Sequence, residues 1–224
     1  MNNKTFSVTK KITYFAVLTA ITVVLQLVGN TVRIGFVTLN FSLIPIVLSA
    51  VLLGVWYGTA LGAITGLIIL FNNGILGADG FTNVLFSTDP VILSLVCVLK
   101  TALAGAVSAL IYKALKKANP YLATVVAAAS VPVVNTGIFI VGMLTITDSL
   151  YSVGFIAEGA NALVTIITVF VGLNFIFEFA VNVIVAPAIY RVIAVVDKSV
   201  LSGGKEKDIK AEKTEDTEET ENNR

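Results

Sequence analysis

Hydrophobic residues along the chain fall into six long runs separated by short polar segments, at residues 12–29, 39–53, 56–71, 91–112, 121–146 and 161–190. A helix needs about 20 apolar residues to cross a bilayer. The runs lie near that length, so the pattern predicts an all-α membrane protein with six transmembrane helices. The second run is short and contains Pro45, which predicts a tilted or broken helix. The sixth run is longer than a bilayer needs, so its helix either projects beyond the bilayer or bends at Gly172.

Composition supports this prediction and divides the chain into three parts. Of the 224 residues, 56% are hydrophobic and only 13% are charged, about half of the ~25% typical of soluble domains. The mean hydropathy is +0.92. We expect a cytoplasmic N-terminus at 1–11, a six-helix domain in the lipid bilayer at 12–196, and a disordered, charged cytoplasmic tail at 197–224. The net charge of +1 is a sum over two unlike regions and gives no reason to expect a nucleic-acid partner.

Basic residues are unevenly distributed between the two sides of the predicted bundle. If the N-terminus lies inside, Arg33 is the one basic residue in the outer loops. The inner segments then hold Lys4, Lys10, Lys11, Lys113, Lys116, Lys117, Arg191 and Lys198. Because Lys and Arg are enriched in cytoplasmic segments, both termini are predicted to face the cytoplasm.

The predicted outer loops, at 30–38, 72–90 and 147–160, are longer than the inner ones. The second loop is rich in glycine and asparagine and contains Asn72, Asn73 and Asn83. Long loops are often functional, so we interpret these as the mouth of a binding site. The alternative is that these loops only connect the helices and have no role in binding.

Several classes of function are excluded by missing residues. The sequence has no histidine, which excludes a Ser-His-Asp hydrolase and a His-ligated metal site. Cys97 is the single cysteine and lies in an apolar run, so it can form neither an internal disulfide nor a Cys-rich metal site. No phosphate-binding G-x-x-x-x-G-K-[ST] loop is present. We therefore expect a protein that is not an enzyme and uses no metal or other cofactor.

Lys100 and Glu178 are the ionisable residues that lie well inside predicted helices. A charge at the bilayer centre costs about 2.5–3.5 kcal/mol or more, so each is expected to face a partner or a water-filled cavity. Lys100 precedes Lys113 by the same number of residues as Glu178 precedes Arg191. Both side chains are therefore predicted at one depth, roughly 20 Å above these inner anchors. They could line one cavity, or form a permanent ion pair that holds the fourth and sixth helices together.

Amide side chains are predicted near the same depth. Asn174, Glu178 and Asn182 are spaced four residues apart and share one face of the sixth helix. Asn135 lies in the outer half of the fifth helix. One asparagine alone could simply join helices by hydrogen bonds. Their convergence at one depth favours a site for a small polar ligand that arrives from outside.

Small residues form faces on two other helices. Ala16 and Ala20 lie on one face of the first helix, and Gly58, Gly62 and Gly66 on one face of the third. Such faces allow close helix packing, either within the fold or against another protein. From physical reasoning alone, packing within the fold is favoured.

Motifs along residues 10–195 resemble the substrate-binding S components of the bacterial energy-coupling factor (ECF) vitamin transporters. The resemblance lies in the order of the motifs together with the six-helix layout. The motifs are Ala16/Ala20, Asn40-Phe-Ser-Leu-Ile-Pro45 followed by Gly54 and Gly58, Asp89-Pro90 to Lys100-Thr-Ala-Leu-Ala-Gly105, Asn135-Thr136, and Gly172-Leu-Asn174 to Glu178.

This resemblance implies a protein of the bacterial cell membrane that captures a vitamin or related micronutrient at its outer face. Helices four to six and the outer loops would bind the substrate. The S component would carry it inward by toppling in the membrane after docking to a transmembrane T component, with two cytoplasmic ATPase subunits supplying energy. By analogy Ala16 and Ala20 become the docking face, which reverses the internal-packing interpretation for this pair.

The motifs of the fourth and sixth helices look most like the group associated with pantothenate. In that case Lys100 would bind the carboxylate, Asn135 and Asn174 the amide or hydroxyls, and Glu178 would orient Lys100 or accept a hydroxyl proton. Biotin or nicotinate would also suit a lysine. Riboflavin would instead favour stacking on aromatic residues, for which the candidates are Phe71, Phe81, Phe86 and Phe139.

Two other functions remain alternatives to an S component. A self-sufficient secondary transporter or channel could use Glu178 to carry a proton or sodium gradient. A membrane scaffold would bind no solute, and Lys100 and Glu178 would be structural.

Overall fold

The structure is a computed structural model that describes residues 8–34 and 37–196. Eight helices form most of this part of the chain: α1 Val8–Gly29, α2 Leu43–Leu53, α3 Val55–Ile75, α4 Gly80–Thr88, α5 Pro90–Leu115, α6 Pro120–Thr145, α7 Thr147–Ser152 and α8 Ala162–Val196. Two short antiparallel strands, β1 Arg33–Ile34 and β2 Val37–Thr38, connect α1 to α2. The predicted tail at 197–224 and residues 1–7 lie outside the described residues.

Five of the helices, α1, α3, α5, α6 and α8, are long and apolar enough to cross a membrane. The second helix, α2, has 11 residues and measures about 16 Å at 1.5 Å per residue. The predicted all-helical membrane bundle is confirmed, with five or six candidate spans. Pro45 lies in the first turn of α2, where proline is tolerated, so it does not break this helix.

The three predicted outer loops contain ordered elements. The first includes β1 and β2. The second includes the end of α3, whose last turn is a π-helix at Leu70–Ile75, and then α4. Asp79 caps α4 by accepting a 3.0 Å hydrogen bond from the Thr82 backbone N–H. The third includes α7. Sequence periodicity did not reveal α4 and α7 because each is short.

The eighth helix, α8, contains a second π-helical segment, Ile166–Val171, which ends at Gly172. A π-helical turn holds one more residue than an α-helical turn, and such turns are frequent at functional sites. The sequence predicted a projection beyond the bilayer or a bend at Gly172, and what the structure shows there is a change of helix type within one long helix. Beyond it the chain continues as α-helix to Val196.

Close packing of α3 against α5 forms the centre of the bundle. An added Cβ would lie 2.2 Å from the Thr101 carbonyl oxygen at Gly62 and 2.4 Å from the Cys97 carbonyl oxygen at Gly66. No side chain fits into such a gap, so these glycines let the two backbones touch. The internal-packing interpretation of the glycine face on α3 is confirmed.

We expect Gly62→Val to destabilise the bundle. The added side chain would collide with backbone rather than with a movable side chain, and overpacking of this kind costs about 1–3 kcal/mol or more. The measurement is the melting temperature of the purified protein in detergent. Ala60→Val, at an exposed position of the same helix, is the matched control. Equal melting temperatures for the two variants would contradict the packing described.

Candidate ligand-binding cavity

A cavity of about 60 Å³ lies among α5, α6 and α8. Residues of α1, β2, α4 and the π-helical end of α3 complete its wall. The cavity therefore lies where helices four to six of the sequence pattern were predicted to form a site.

Lys100 and Glu178 both line this cavity. The Lys100 Nζ lies 5.3 Å from the centre of the Phe139 ring, within the range of a cation–π interaction. Glu178 is 5% exposed. Its Oε1 accepts hydrogen bonds from the Asn40 backbone N–H at 3.0 Å and from the Asn174 Nδ2 at 3.3 Å.

The second carboxylate oxygen of Glu178, Oε2, has no hydrogen-bond partner among the described residues. Lys100 therefore does not donate to this oxygen, although both side chains line one cavity. A permanent hydrogen-bonded ion pair between α5 and α8 is not what the geometry shows. The arrangement instead leaves a cation and a carboxylate that can each meet a third group.

Two of the asparagines predicted on the fifth and sixth helices line the same cavity. Asn135, on α6, is 5% exposed, and Asn174 lies one turn before Glu178 on α8. The Oδ1 atoms of both are buried without a hydrogen-bond partner in the described part of the chain. Asn182 lies outside the cavity and donates from Nδ2 to the Glu178 carbonyl oxygen at 2.8 Å. The stripe predicted on the sixth helix therefore contributes two of its three members.

Of the three asparagines predicted in the second outer loop, one lines the cavity and two do not. Asn73, in the π-helical turn of α3, is buried and lines the cavity. Asn72 donates from Nδ2 to the Asn73 Oδ1 at 3.3 Å and lines a separate groove. Asn83 donates from Nδ2 to the Gly74 carbonyl oxygen at 2.7 Å and so joins α4 to α3. Asn72 and Asn83 thus do not line the cavity, although the sequence predicted them in one site with Asn73.

Other residues of the wall were missed by sequence reasoning. Polar ones come from elements that precede the predicted site: Gln26, Thr38, Asn40 and Thr82. The Ser42 hydroxyl lies within hydrogen-bonding distance of the Gln26 Oε1, at 3.1 Å, and of the Asn40 Oδ1, and its one proton can be donated to either. Since the Asn40 backbone also binds Glu178, this network joins α1 and the start of α2 to α8. Gln26 could have been found as a lone amide in an apolar run.

Aromatic side chains supply the apolar part of the wall. Phe81, Phe139 and Phe170 line the cavity together with Phe175. The Phe81 ring centre lies 5.0 Å from that of Phe170 and 6.4 Å from that of Phe139. Of the four phenylalanines considered for stacking, Phe71 and Phe86 do not line the cavity.

The alanine pair of α1 lies away from this cavity. Ala16 and Ala20 are both exposed on the surface of the bundle. They do not pack within the fold as physical reasoning alone favoured. Lipid or another protein must cover them in the membrane.

An all-helical membrane bundle that encloses a small polar cavity is typical of a membrane protein that binds a solute. The family model of the ECF transporter, substrate-specific component, matches residues 10–190. The chain therefore belongs to this family. No curated protein and no solved structure matches it.

Membership of this family defines the general role of the chain. It is a multi-pass membrane protein that binds a substrate for transport and works with an ECF module, and it is not an enzyme. The resemblance to S components is confirmed at this level. Membership of this family favours substrate capture over the two alternatives, a secondary transporter and a scaffold.

Proposed function

We propose that this S component captures a vitamin carboxylate, with pantothenate as the first candidate, and delivers it inward through an ECF module. The observation that carries the proposal is the cavity in which Lys100, Glu178, Asn135 and Asn174 come together. A half-buried lysine beside amide groups can bind a carboxylate and the polar chain attached to it. The aromatic rings would cover the apolar part of such a ligand.

Pantothenate carries a carboxylate, an amide and two hydroxyl groups. Lys100 would bind the carboxylate through a charge-assisted hydrogen bond. Asn135 and Asn174 would bind the amide and one hydroxyl, and Glu178 would accept a hydroxyl proton. The Phe139 ring, over which the Lys100 Nζ lies, would hold the lysine in position for the carboxylate.

Access from outside follows from the proposed orientation of the chain. With both termini in the cytoplasm, the C-terminal end of α5 and the N-terminal end of α6 face inward, and basic residues lie at this connection. The π-helical end of α3 and the short helices α4 and α7 then lie on the outer side, where the cavity is.

Docking to the transmembrane T component would use α1. Ala16 and Ala20 are exposed, and side chains of this size allow two helices to approach closely. The T component and two ATPase subunits would supply the energy, since the sequence has no phosphate-binding loop of its own.

Vitamin binding by the purified chain tests this function. Calorimetry with pantothenate, biotin, nicotinate and riboflavin, without any ion gradient, is expected to show nanomolar binding of pantothenate. Uptake into vesicles by the chain alone, lost on addition of an ionophore, would instead favour a gradient-driven transporter. Absence of binding across the panel, with an unchanged melting temperature, would favour a scaffold.

A further inference from the structure

Three oxygen atoms in the cavity residues are buried without a hydrogen-bond partner in the described part of the chain: Asn135 Oδ1, Asn174 Oδ1 and Glu178 Oε2. The two amide oxygens are hydrogen-bond acceptors, and the Glu178 Oε2 is an acceptor when the carboxylate is ionised. The assignment at Asn174 is fixed because its Nδ2 donates to the Glu178 Oε1. The unpartnered atom of this amide is therefore its carbonyl oxygen.

Acceptors of this kind select the ligand that displaces water from them. Asn174 and Glu178 lie one turn apart on α8, and both line the same cavity as Asn135. Water can bind these oxygens while no ligand is present, and a ligand that displaces the water must donate hydrogen bonds in its place. A ligand without such donors leaves buried acceptors unpaired, which most proteins avoid.

The cationic side of the cavity has the opposite requirement. Lys100 has donors and no acceptor, and its Nζ lies over the Phe139 ring. It can therefore be satisfied only by an acceptor or an anion. The cavity thus presents a donor on α5 and unpartnered acceptors on α6 and α8.

We infer that the ligand is bifunctional: a carboxylate or other anionic group binds Lys100, and its other end carries at least two N–H or O–H donors for Glu178, Asn174 and Asn135. This inference rests on the proposed function and narrows it. Pantothenate has hydroxyl donors opposite its carboxylate, and biotin has ureido N–H groups. Nicotinate has a carboxylate but no N–H or O–H donor at neutral pH, so it leaves the acceptors unpartnered.

Discrimination by this mechanism is strong in general. A site built to hydrogen-bond a donor rejects an analogue that lacks the donor by about 10⁴–10⁵, because its own buried groups are then left unpaired. The acceptors on α8 and α6 therefore select among vitamin carboxylates. Lys100 does not discriminate, because it binds the carboxylate that all of these vitamins carry.

Glu178→Gln tests the inference with little change of shape. The glutamine Oε1 can still accept from the Asn40 N–H, but an N–H₂ donor replaces the unpartnered oxygen. Binding of pantothenate or biotin, whichever the wild type binds, is expected to weaken about ten- to a hundredfold. Any weak binding of nicotinate should be unchanged or improved, since its ring nitrogen is an acceptor. Calorimetry with the full chain measures all three ligands.

Glu158→Gln makes the same chemical change at an exposed residue outside the cavity and should leave binding unchanged. If Glu178→Gln fails to fold, Asn135→Leu provides the second test, with the same selective loss expected. Equal binding by wild type and Glu178→Gln, or a wild type that prefers nicotinate, would overturn this inference and leave vitamin capture standing. Absence of binding to all three ligands would overturn both.

Discussion

Replacing Lys100 by alanine is expected to weaken binding of the vitamin carboxylate by a factor of at least about 30. Removing one partner of a buried, hydrogen-bonded charge pair costs about 2–5 kcal/mol, and every 1.4 kcal/mol is tenfold in Kd. The loss should be large because the described cavity residues include no second basic side chain. Calorimetry on the purified variant measures it.

A ligand without the carboxylate makes this test specific. The alcohol analogue of pantothenate should bind wild type and Lys100→Ala with similar, weak affinity, since the group that Lys100 binds is missing. Lys113→Ala, an exposed lysine on the same helix, is the matched control and should bind normally. Tight binding of pantothenate by Lys100→Ala would remove the lysine from the site.

The second large effect is expected at the opposite side of the molecule. Ala16→Trp should spare vitamin binding but reduce vitamin uptake by cells that also contain the ECF module by at least about fivefold, because an overpacked helix contact costs about 1–3 kcal/mol or more. In lipid alone the exposed tryptophan is well tolerated. Copurification of the ECF module with the variant reports assembly, and calorimetry reports binding.

Ala188→Trp provides the comparison for this variant. Ala188 is also an exposed alanine of a membrane-spanning helix, but it lies on α8. Uptake should then be close to that of wild type. If Ala16→Trp assembles normally with the ECF module, α1 does not dock through its alanine face. If it loses vitamin binding as well, a fault in folding explains the result.

The long helices were predictable because hydropathy reports directly on what a bilayer requires. Five apolar runs correspond to helices long enough to span, and the short second run corresponds to α2. The helices α4 and α7, at Gly80–Thr88 and Thr147–Ser152, were predicted as loops. The Asp79 cap and the burial of Phe81 and Leu85 stabilise α4, and the burial of Leu150 stabilises α7. Neither helix contains an apolar run of spanning length, so hydropathy does not detect them.

The sequence predicted how deep in the membrane the site lies, but not all the residues that surround it. Counting residues from basic anchors placed Lys100 and Glu178 at one height, and the structure lines one cavity with both. Such counting gives height along a helix but not the contacts made around it. Gln26 and Asn40 were missed for this reason, since they reach the cavity through the fold of α1 and the segment before α2.

The π-helical segment at Ile166–Val171 has a consequence for how ligand preference can change in this protein. A π-helical turn that loses one residue becomes an ordinary α-helical turn. Deleting one residue from this segment would therefore convert it to α-helix and keep Asn174 and Glu178 on the side of α8 that faces the cavity. Phe170 and Val171, which belong to the segment and also line the cavity, would change position relative to these polar groups. A single-codon deletion could thus alter the apolar part of the wall and leave the polar groups of α8 in place.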